Sequence, residues 1–241
     1  MQVDWLAGTS GYSYKAWKGS FYPEDLAAAD MLAFYASKLP AVEINNTFYR
    51  MPRRSVLETW RDSVPASFRF SIKASRRITH QARLQNCEEA VEFLATGLET
   101  LGEKLGCVLF QLPPYLRKDD ERLDAFLSVW PKAFPAAMEF RHASWFDDET
   151  AETLARHDAA ICLSEDGELP MPGFLATTDW LYLRLRKPDY DNEALASWIA
   201  RGEGSDAARA FAFFKHEDEG AGPALANRFL DLADSTLPSP Q

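Results

Sequence analysis

Short apolar runs recur along the whole chain, and within most of them apolar and polar residues alternate with a period of two. Such runs, rich in Val, Ile, Leu and Phe, are typical of β-strands, whereas most of the stretches between them carry apolar residues at helical spacing. The runs predict eight strands, at 5–9, 42–46, 68–73, 107–112, 137–141, 160–165, 180–186 and 209–215. The stretches between and after them predict seven helices, at 29–38, 55–62, 88–101, 120–129, 148–157, 192–201 and 221–233.

Repeated alternation of strand and helix is typical of a parallel sheet covered by helices, and eight strands favour closure into a barrel. Neither G-x-G-x-x-G nor G-x-x-x-x-G-K-[S/T] occurs, so the open nucleotide-binding sheet loses its usual support. The predicted fold is an α/β protein, a single TIM-like (β/α)8 barrel with eight parallel strands. The segment 166–179 is rich in Pro and Gly, so we expect the sixth outer helix to be reduced or missing.

The length of 241 residues and the 46% hydrophobic content suffice for one large core, and no linker-like segment interrupts the chain. We therefore expect one barrel domain over 1–234, followed by a frayed tail at 235–241. The start of the chain lacks the basic patch and apolar run of a signal peptide, and no apolar stretch approaches the roughly 20 residues needed to span a bilayer. These features predict a cytoplasmic monomer with no membrane partner and no obligate protein partner.

The three cysteines are far apart and form no C-x-x-C pattern, which fits a reducing compartment. Cys107 and Cys162 lie within apolar runs, where we expect them to act as small core residues. The net charge of −10 argues against broad affinity for nucleic acid, but the charge is uneven. Residues 1–120 hold 15 Lys and Arg against 14 Asp and Glu, so the acidic excess belongs to the second half.

The two-residue alternation predicts which side chains face the barrel axis. In the seventh run, leucines alternate with Tyr182, Arg184 and Arg186, and the leucines must face the outer helices. Burying many charges is costly unless they pair with one another or meet a ligand. Most of these positions lie at the ends of strands where barrel enzymes place their sites. The predicted polar lining comprises Glu43, Asn45, Lys73, Gln111, Glu139, Arg141, Arg184, Arg186 and Lys215.

Two explanations of this lining stay open. An internal salt-bridge network could simply fill the barrel, or the charges could form a site for a polar ligand. The loops after the first four strands are rich in Lys and Arg and carry aromatic residues, among them Tyr12 and Trp17. Guanidinium groups beside aromatic rings suit a phosphorylated or carboxylated ligand with a flat part, or a single-stranded nucleic acid. Alternatively, the aromatic residues cap the barrel and the arginines are solvated.

Several motifs, taken in order, resemble the YecE-like family known as domain of unknown function 72. They are GTSGY at 8–12, FYP at 21–23, VEINNTFY at 42–49, FSIKA at 70–74, ITH at 78–80, QLPP at 111–114, EFRH at 139–142 and YLR at 182–184. The resemblance implies a TIM-like barrel and no established activity. Two departures stand out. Phe214-Lys215-His216 replaces an aromatic residue followed by two asparagines, and Arg186-Lys187 replaces the His-Gly of many relatives.

Metal chemistry has little support, because the chain has four histidines and no tight ligand spacing. The best set that the chain offers is Glu139, His142, Glu165 and His216. A metal-dependent phosphoesterase or nuclease is kept as a second alternative. A glycosidase is disfavoured, because the two inward carboxylates, Glu43 and Glu139, have cationic neighbours. We predict no metal and no cofactor.

The favoured hypothesis is a metal-independent enzyme that acts on a small anionic or phosphorylated substrate. Glu139 and Lys73 are the candidates for proton transfer, because each is an ionisable group at the polar end of the barrel. The first alternative is a non-catalytic binding module for a metabolite or a single-stranded nucleic acid; another is a scaffold without ligand. The predicted ligand-binding residues are Glu43, Asn45, His80, Gln111, Arg141, His142, Arg184, Arg186, Lys215, Tyr12 and Trp17.

Overall fold

Eight parallel strands close into a barrel in the computed structural model, which describes residues 2–165, 176–215 and 219–235. Each strand pairs with the next along the chain, and the last strand pairs with the first. This arrangement confirms the predicted fold class. The strands are β1 Asp4–Ser10, β2 Ala41–Ile44, β3 Arg69–Lys73, β4 Leu105–Gln111, β5 Ala136–Glu139, β6 Ala159–Glu165, β7 Trp180–Leu185 and β8 Arg209–Phe214.

Seven α-helices accompany the strands in the described residues. They are α1 Met31–Ala36, α2 Arg54–Asp62, α3 Glu88–Leu98, α4 Asp120–Val129, α5 Asp148–Arg156, α6 Asn192–Glu203 and α7 Ala221–Ser235. We predicted that the sixth outer helix, between β6 and β7, is reduced or missing. Most of that segment, 166–175, lies outside the described residues. The predicted tail at 235–241 also lies outside them, except for Ser235, which ends α7.

Aspartate side chains begin three of the helices. Asp119 accepts a hydrogen bond from the backbone N–H of Arg122 at 3.0 Å and so caps α4, which begins at the predicted residue, Asp120. Asp147 and Asp191 cap α5 and α6 in the same way. Each carboxylate satisfies a backbone donor that has no partner within the helix, which is why Asp is favoured at this position.

The apolar side chains form two separate clusters, as the alternation along the strands predicts. Outward residues such as Val42, Phe70 and Leu183 pack with residues of the surrounding helices. The second cluster contains only strand residues, which places it inside the ring. Its members are Leu6, Ala41, Cys107, Leu109, Ala137, Ala160, Cys162, Trp180, Tyr182, Phe211 and Phe213. The predicted core role of Cys107 and Cys162 is thereby confirmed.

The junction of β1 and β2 depends on a helix side chain and a glycine. The Tyr35 hydroxyl accepts a hydrogen bond from the backbone N–H of Thr9 at 2.9 Å and donates to the carbonyl oxygen of Ala41 at 3.0 Å. Beside it, a Cβ atom at Gly8 would lie 1.9 Å from that same carbonyl oxygen. Only glycine permits this approach, which fixes the end of β1 next to Glu43.

Within the described ranges, no helix combines the length and the apolar character needed to cross a lipid bilayer.

Candidate functional site

A buried arginine joins two carboxylates across the barrel. Arg184 on β7 donates from Nη2 to Glu43 Oε1 on β2 at 2.7 Å and from Nη1 to Glu139 Oε2 on β5 at 2.6 Å. The exposed fraction is 1% for Arg184 and 0% for both glutamates. Three strands that are far apart in the sequence therefore meet in one charge network, which we call the Arg184 triad.

The remaining partners of Glu43 are neutral donors. Ser10 Oγ donates to Oε1 at 2.7 Å, Asn45 Nδ2 donates to Oε1 at 3.0 Å, and the Tyr182 hydroxyl donates to Oε2 at 2.7 Å. Burial alone would raise the pKa of Glu43. The charge of Arg184 and these hydrogen bonds outweigh burial and lower the pKa to about 2. Glu43 is therefore a stably ionised part of the framework.

Glu139 has mostly cationic partners. Gln111 Nε2 donates to Oε2 at 2.9 Å, Arg141 Nη1 donates to Oε1 at 3.2 Å, and Arg186 Nη1 lies 3.9 Å from Oε1. Burial raises its pKa, but Arg184 and Arg186 overcome that effect and lower the pKa to about 2. A carboxylate with so low a pKa is a weak base, so this geometry does not suit the proton-transfer role predicted for Glu139.

Lys73, at the end of β3, has different surroundings. Its Nζ donates to Gln111 Oε1 at 2.8 Å and lies 4.4 Å from the centroid of the Phe48 ring. Burial, followed by the charge of Arg184, lowers its pKa to about 8. The side chain is therefore an amine that changes protonation state close to neutral pH, which suits the predicted role in proton transfer.

A cavity of about 600 Å³ opens above the Arg184 triad, at the carboxyl ends of the strands. We call it the barrel cavity. It brings together eight of the predicted site residues. Its lining comprises Ser10, Tyr14, Asn45, Phe48, Tyr49, Lys73, His80, Gln111, Leu112, Pro114, Arg141, Arg184, Arg186 and Lys215. The charges do pair, as the salt-bridge explanation predicts, but that explanation does not predict a cavity above them.

His80 lines the same cavity from the loop after β3. Its ring packs edge-on against Phe48, with the ring centroids 4.9 Å apart, and its Nδ1 is 2.9 Å from Thr79 Oγ1. Burial, together with the charges of Lys73 and Arg76, lowers its pKa below the ordinary value. His80 is accordingly held in its neutral form near pH 7, in which one ring nitrogen can accept a proton.

Two predicted ligand-binding residues, Trp17 and Tyr12, lie in an aromatic core away from the barrel cavity. Trp17 is 1% exposed and packs against Tyr14, Phe21 and Tyr22, so it is a core residue. Tyr12 packs against this aromatic core, where burial raises the pKa of its hydroxyl. Their apolar bodies fill the space between β1 and α1 instead of lining the barrel cavity.

His142 acts as a local cap. Its Nδ1 accepts a hydrogen bond from the backbone N–H of Ser144 at 3.1 Å and so begins the short helical turn Ala143–Trp145. This backbone contact explains why the side chain is not among those that line the barrel cavity. The predicted ligand-binding role of His142 therefore has no support in this geometry.

The metal set considered from the sequence does not converge. Glu165 forms an ion pair with Lys187 at 2.6 Å and accepts a hydrogen bond from Trp198, so its carboxylate is engaged at α6. His216 lies outside the described residues. Among the residues that the structure describes, no three His, Cys, Asp or Glu side chains are close enough to hold a metal ion.

Several site residues were missed at the level of sequence. Tyr182 shares the predicted inward phase of Arg184 but is not among the predicted site residues, and Ser10 lies one residue past the predicted first strand. Phe48 and Tyr49 follow β2 in a short helical turn, which no periodic pattern reveals. Phe48 is nevertheless important, since the side chains of both Lys73 and His80 pack on its ring.

The sequence profile of the family described as "Protein of unknown function DUF72" matches residues 6–241. The chain belongs to the DUF72 family. The resemblance seen in the motifs is thus confirmed. The description of this family states no activity. The functional argument for this chain therefore starts from the geometry of the site.

Two curated relatives are similar to this DUF72 chain. UPF0759 protein YecE of Escherichia coli is 33% identical over 124 residues, which cover 51% of this chain and 46% of that protein. UPF0759 protein YunF of Bacillus subtilis is 33% identical over 177 residues, which cover 66% of this chain and 62% of that protein. The chain thus spans about half, or somewhat more, of the length of the curated relatives it matches.

A solved DUF72 structure supports the architecture. The crystal structure of a DUF72 family protein from Thermotoga maritima is similar, with a TM-score of 0.82, 25% sequence identity and coverage of 96% of this chain and 99% of that one. A DUF72 family protein from Enterococcus faecalis has a TM-score of 0.78 at 19% identity, covers 98% of both chains and supports the fold alone.

Proposed function

We propose that the barrel cavity binds a small anion and that this protein is a metal-independent enzyme acting on a small anionic or phosphorylated substrate. One observation carries the proposal. Arg186 has a side chain that is 15% exposed, its contact with a carboxylate is the 3.9 Å approach to Glu139, and its buried Nε has no hydrogen-bond partner. A guanidinium group this poorly paired in a cavity is suited to an external anion.

The energetic argument concerns unpaired charge. A buried cation is costly unless hydrogen bonds and opposite charge surround it. Nε is unpaired in both arginines, but Arg184 places its other two nitrogens on carboxylates at 2.6 and 2.7 Å, whereas Arg186 has only the 3.9 Å approach to Glu139. A phosphate or carboxylate group above Arg186 would supply the missing acceptors with short charge-assisted hydrogen bonds. We therefore assign direct anion binding first to Arg186 rather than to Arg184.

The charge balance supports the same assignment. Among the described residues, five cationic side chains line the cavity, whereas two carboxylates, Glu43 and Glu139, lie beneath it. The difference is a formal excess of three positive charges. Lys215 is an exposed member of this set and can approach a ligand without a desolvation cost. An excess of this size attracts anions and disfavours neutral or cationic substrates.

Proton transfer is assigned to Lys73, with His80 as its partner. Both groups line the cavity and pack on the ring of Phe48. Each has a pKa lowered towards or below neutrality, so each exchanges protons under ordinary conditions. Glu139, predicted as a proton-transfer group, is better suited to holding Arg184, Arg186 and Gln111 in position.

A specific observation favours a second candidate, a binding module for a flat or oligomeric anion. A groove of about 820 Å³ shares Tyr49 with the barrel cavity and is lined by Arg50, Arg53 and Arg77. Tyr49 is 72% exposed, and the Arg76 guanidinium lies 6.0 Å from its ring centroid. This combination suits a nucleobase stacked beside a phosphate. The metal-dependent alternative has no comparable support among the described side chains.

The test is thermal stabilisation by inorganic phosphate at matched ionic strength. We expect a saturable rise in Tm for the wild type and a loss of affinity of roughly 10- to 100-fold for Arg186→Gln, because one charged hydrogen-bonding group is removed. Arg209→Gln is the matched control, since Arg209 pairs with Asp4 at the opposite end of the barrel. Equal responses of all three proteins would contradict anion binding in the cavity.

The salt dependence of oligonucleotide binding distinguishes the binding module from the enzyme hypothesis. Binding of a single-stranded oligonucleotide should weaken steeply as salt rises if the basic groove holds its phosphates. Retention of phosphate binding together with negligible oligonucleotide binding would favour the enzyme hypothesis. The domain limits, the monomeric state and the cytoplasmic location stay predictions.

A further inference from the structure

Unlike the three arginines of the barrel cavity, Lys73 faces a neutral acceptor instead of a carboxylate. We propose that Lys73 is a nucleophile that forms a Schiff base, and that the substrate is a small oxo compound carrying a phosphate or carboxylate group. This inference rests on the proposed function, because it uses the same cavity and the same anion-binding arginine. It adds the reacting atom and the chemical class of the substrate, and it makes Lys73 the nucleophile, which leaves proton transfer to His80.

The first argument is the identity of the group that holds Nζ. Gln111 accepts from Nζ through its Oε1, and its Nε2 donates to Glu139. The carboxylate fixes the amide orientation, because only the NH₂ side of the amide can donate to it. A neutral carbonyl-type acceptor therefore faces Lys73. Among the described residues, no carboxylate lies within ion-pair distance of Nζ, in contrast to the Arg184 triad.

The second argument is electrostatic. Burial and the charges of Arg184 and Arg186 disfavour the ammonium form, and they outweigh Glu139 and Glu43, so the pKa of Lys73 is lowered to about 8. About half of the Lys73 side chains are therefore neutral at pH 8. An ordinary lysine with a pKa near 10.5 is roughly 100-fold less often neutral at that pH. Only the neutral amine has the lone pair that attacks a carbonyl carbon.

The third argument is placement. Lys73 ends β3 and lines the barrel cavity together with Arg186 and His80. A cavity of about 600 Å³ is of the size that holds a small metabolite. An anionic group bound at Arg186 would hold an adjoining carbonyl inside the cavity with Lys73, instead of leaving it to random encounter.

The chemical step is balanced without an added reagent. The Nζ lone pair forms a bond to the carbonyl carbon, and the carbonyl π-electron pair moves to oxygen, which takes a proton. The attacking nitrogen then loses one of its two protons, which gives a neutral carbinolamine with a lone pair on nitrogen. Its hydroxyl takes a second proton and leaves as water when that lone pair forms the C=N bond. Overall, the amine, the carbonyl compound and one proton give an iminium ion and one water. Neutral His80, held through Nδ1 beside Thr79, is suited to accept the proton that the nitrogen loses and to pass it to the departing hydroxyl.

The experiment uses pyridoxal 5′-phosphate as an aldehyde with a phosphate group, and cyanoborohydride to reduce any imine to a stable amine. Mass spectrometry of the digested protein then quantifies adduct on each of the nine lysines. At pH 8 we expect labelling at Lys73 to be at least about tenfold faster than at any other lysine. Lys73→Arg keeps the charge and should abolish this adduct, whereas Lys38→Arg, which changes an exposed lysine between α1 and β2 outside the barrel cavity, is the matched control.

Pyridoxal, which lacks the phosphate, tests the anionic part of the substrate. Arg186→Gln should slow labelling of Lys73 by pyridoxal 5′-phosphate about tenfold more than labelling by pyridoxal, because loss of the Arg186 charge raises the pKa of Lys73 for both aldehydes but loss of phosphate binding affects only one. The rate in the wild type should reach half of its maximum near pH 8, which is a readout that needs no variant to fold. Equal rates with both aldehydes would contradict the anionic substrate class.

The failure of this inference is separable from failure of the proposed function. Thermal stabilisation by inorganic phosphate without any preferential adduct at Lys73 would refute the Schiff base and leave the anion-binding cavity intact. Absence of both the adduct and the stabilisation would refute the two proposals together. A preferential Lys73 adduct that Arg186→Gln does not slow would keep the nucleophile and overturn the role of Arg186.

Discussion

The interior of the barrel has two layers with opposite chemistry. At the amino-terminal end, Leu109, Trp180 and Phe211 fill the ring with apolar side chains. Towards the carboxyl ends of the strands, Glu139 and Arg184 fill the ring with paired charge. The lower layer gains free energy from removal of apolar surface from water, whereas the upper layer depends on complete pairing. The same eight strands therefore support a stable base and a reactive upper surface.

Tyr182 joins the two layers. Its ring packs against Phe213 with the centroids 5.4 Å apart, while its hydroxyl donates to Glu43 and contacts Ser71 Oγ at 2.6 Å. Tyr182 and Arg184 are neighbours on the inward face of β7, so a rigid apolar residue directly supports the charged one. Side chains that are locked by packing hold a site close to its productive geometry. We therefore expect pH to change the stability of the charged layer, and mutation to destabilise the two layers by different amounts.

Acid should have the largest effect, and it should act on the charged layer. The pKa values of Glu43 and Glu139 are lowered from 4.5 to about 2 in the folded protein. Their stabilisation is complete above the unfolded value and is lost as the pH falls towards the folded value, because the unfolded chain takes up protons first. We expect the free energy of unfolding to fall by on the order of 5 kcal/mol between about pH 5 and pH 2.

Urea unfolding at a series of pH values measures this loss. The triple variant Glu43→Gln, Glu139→Gln and Arg184→Met removes all three charges together and should flatten the acid dependence. Leu109→Ala, from the apolar layer, should keep the wild-type slope at lower overall stability. An unchanged slope in the triple variant would show that other carboxylates cause the acid sensitivity.

Arg184→Met alone should have the second largest effect. It leaves Glu43 and Glu139 buried without their shared cation, and removal of one partner of a buried pair typically costs about 3–5 kcal/mol. We expect about 4 kcal/mol at pH 7 from urea unfolding. The charge-free triple variant should recover much of this loss, since no carboxylate is then left unpaired. Greater damage in the triple variant would contradict the importance of charge pairing.

Leu109→Ala should have the smallest effect of the three, about 3 kcal/mol, because it leaves a cavity in the apolar layer. The phosphate-dependent rise in Tm should be preserved, since Leu109 does not line the barrel cavity. Loss of the phosphate response in a folded Leu109→Ala protein would show that the two layers are coupled more tightly than the contacts of Tyr182 indicate.

The fold and the inward phase could be predicted because both follow from a local rule. Alternation on β7 separates the leucines from Arg184 and Arg186, and the structure places Leu183 in the outer cluster and Tyr182 in the inner one. Strand ends differ from the prediction by no more than two residues at any point, as on β4, which begins at Leu105 instead of 107. Periodicity identifies a strand better than it identifies the last hydrogen bond of that strand.

The roles of individual loop residues could not be predicted in the same way. Trp17 and His142 are residue types that often bind ligands, yet one fills an aromatic cluster and the other caps a turn. Their partners come from contacts that no periodicity encodes. The protonation states of Glu139 and Lys73 likewise depend on which neighbour each one meets, Arg184 or Gln111, and this is decided by the closed ring.

The Arg184 triad draws its members from both halves of the chain. The first half supplies Glu43, and the second half supplies Glu139 and Arg184, so Glu43 meets its cation only when the two halves come together. A folding intermediate that completed the first half alone would bury Glu43 without Arg184, which makes such a species unfavourable. We infer that assembly is concerted, with the pairing of β8 to β1 needed before the charges can be withdrawn from water. A half barrel cut from this chain is consequently a poor starting module for building new proteins.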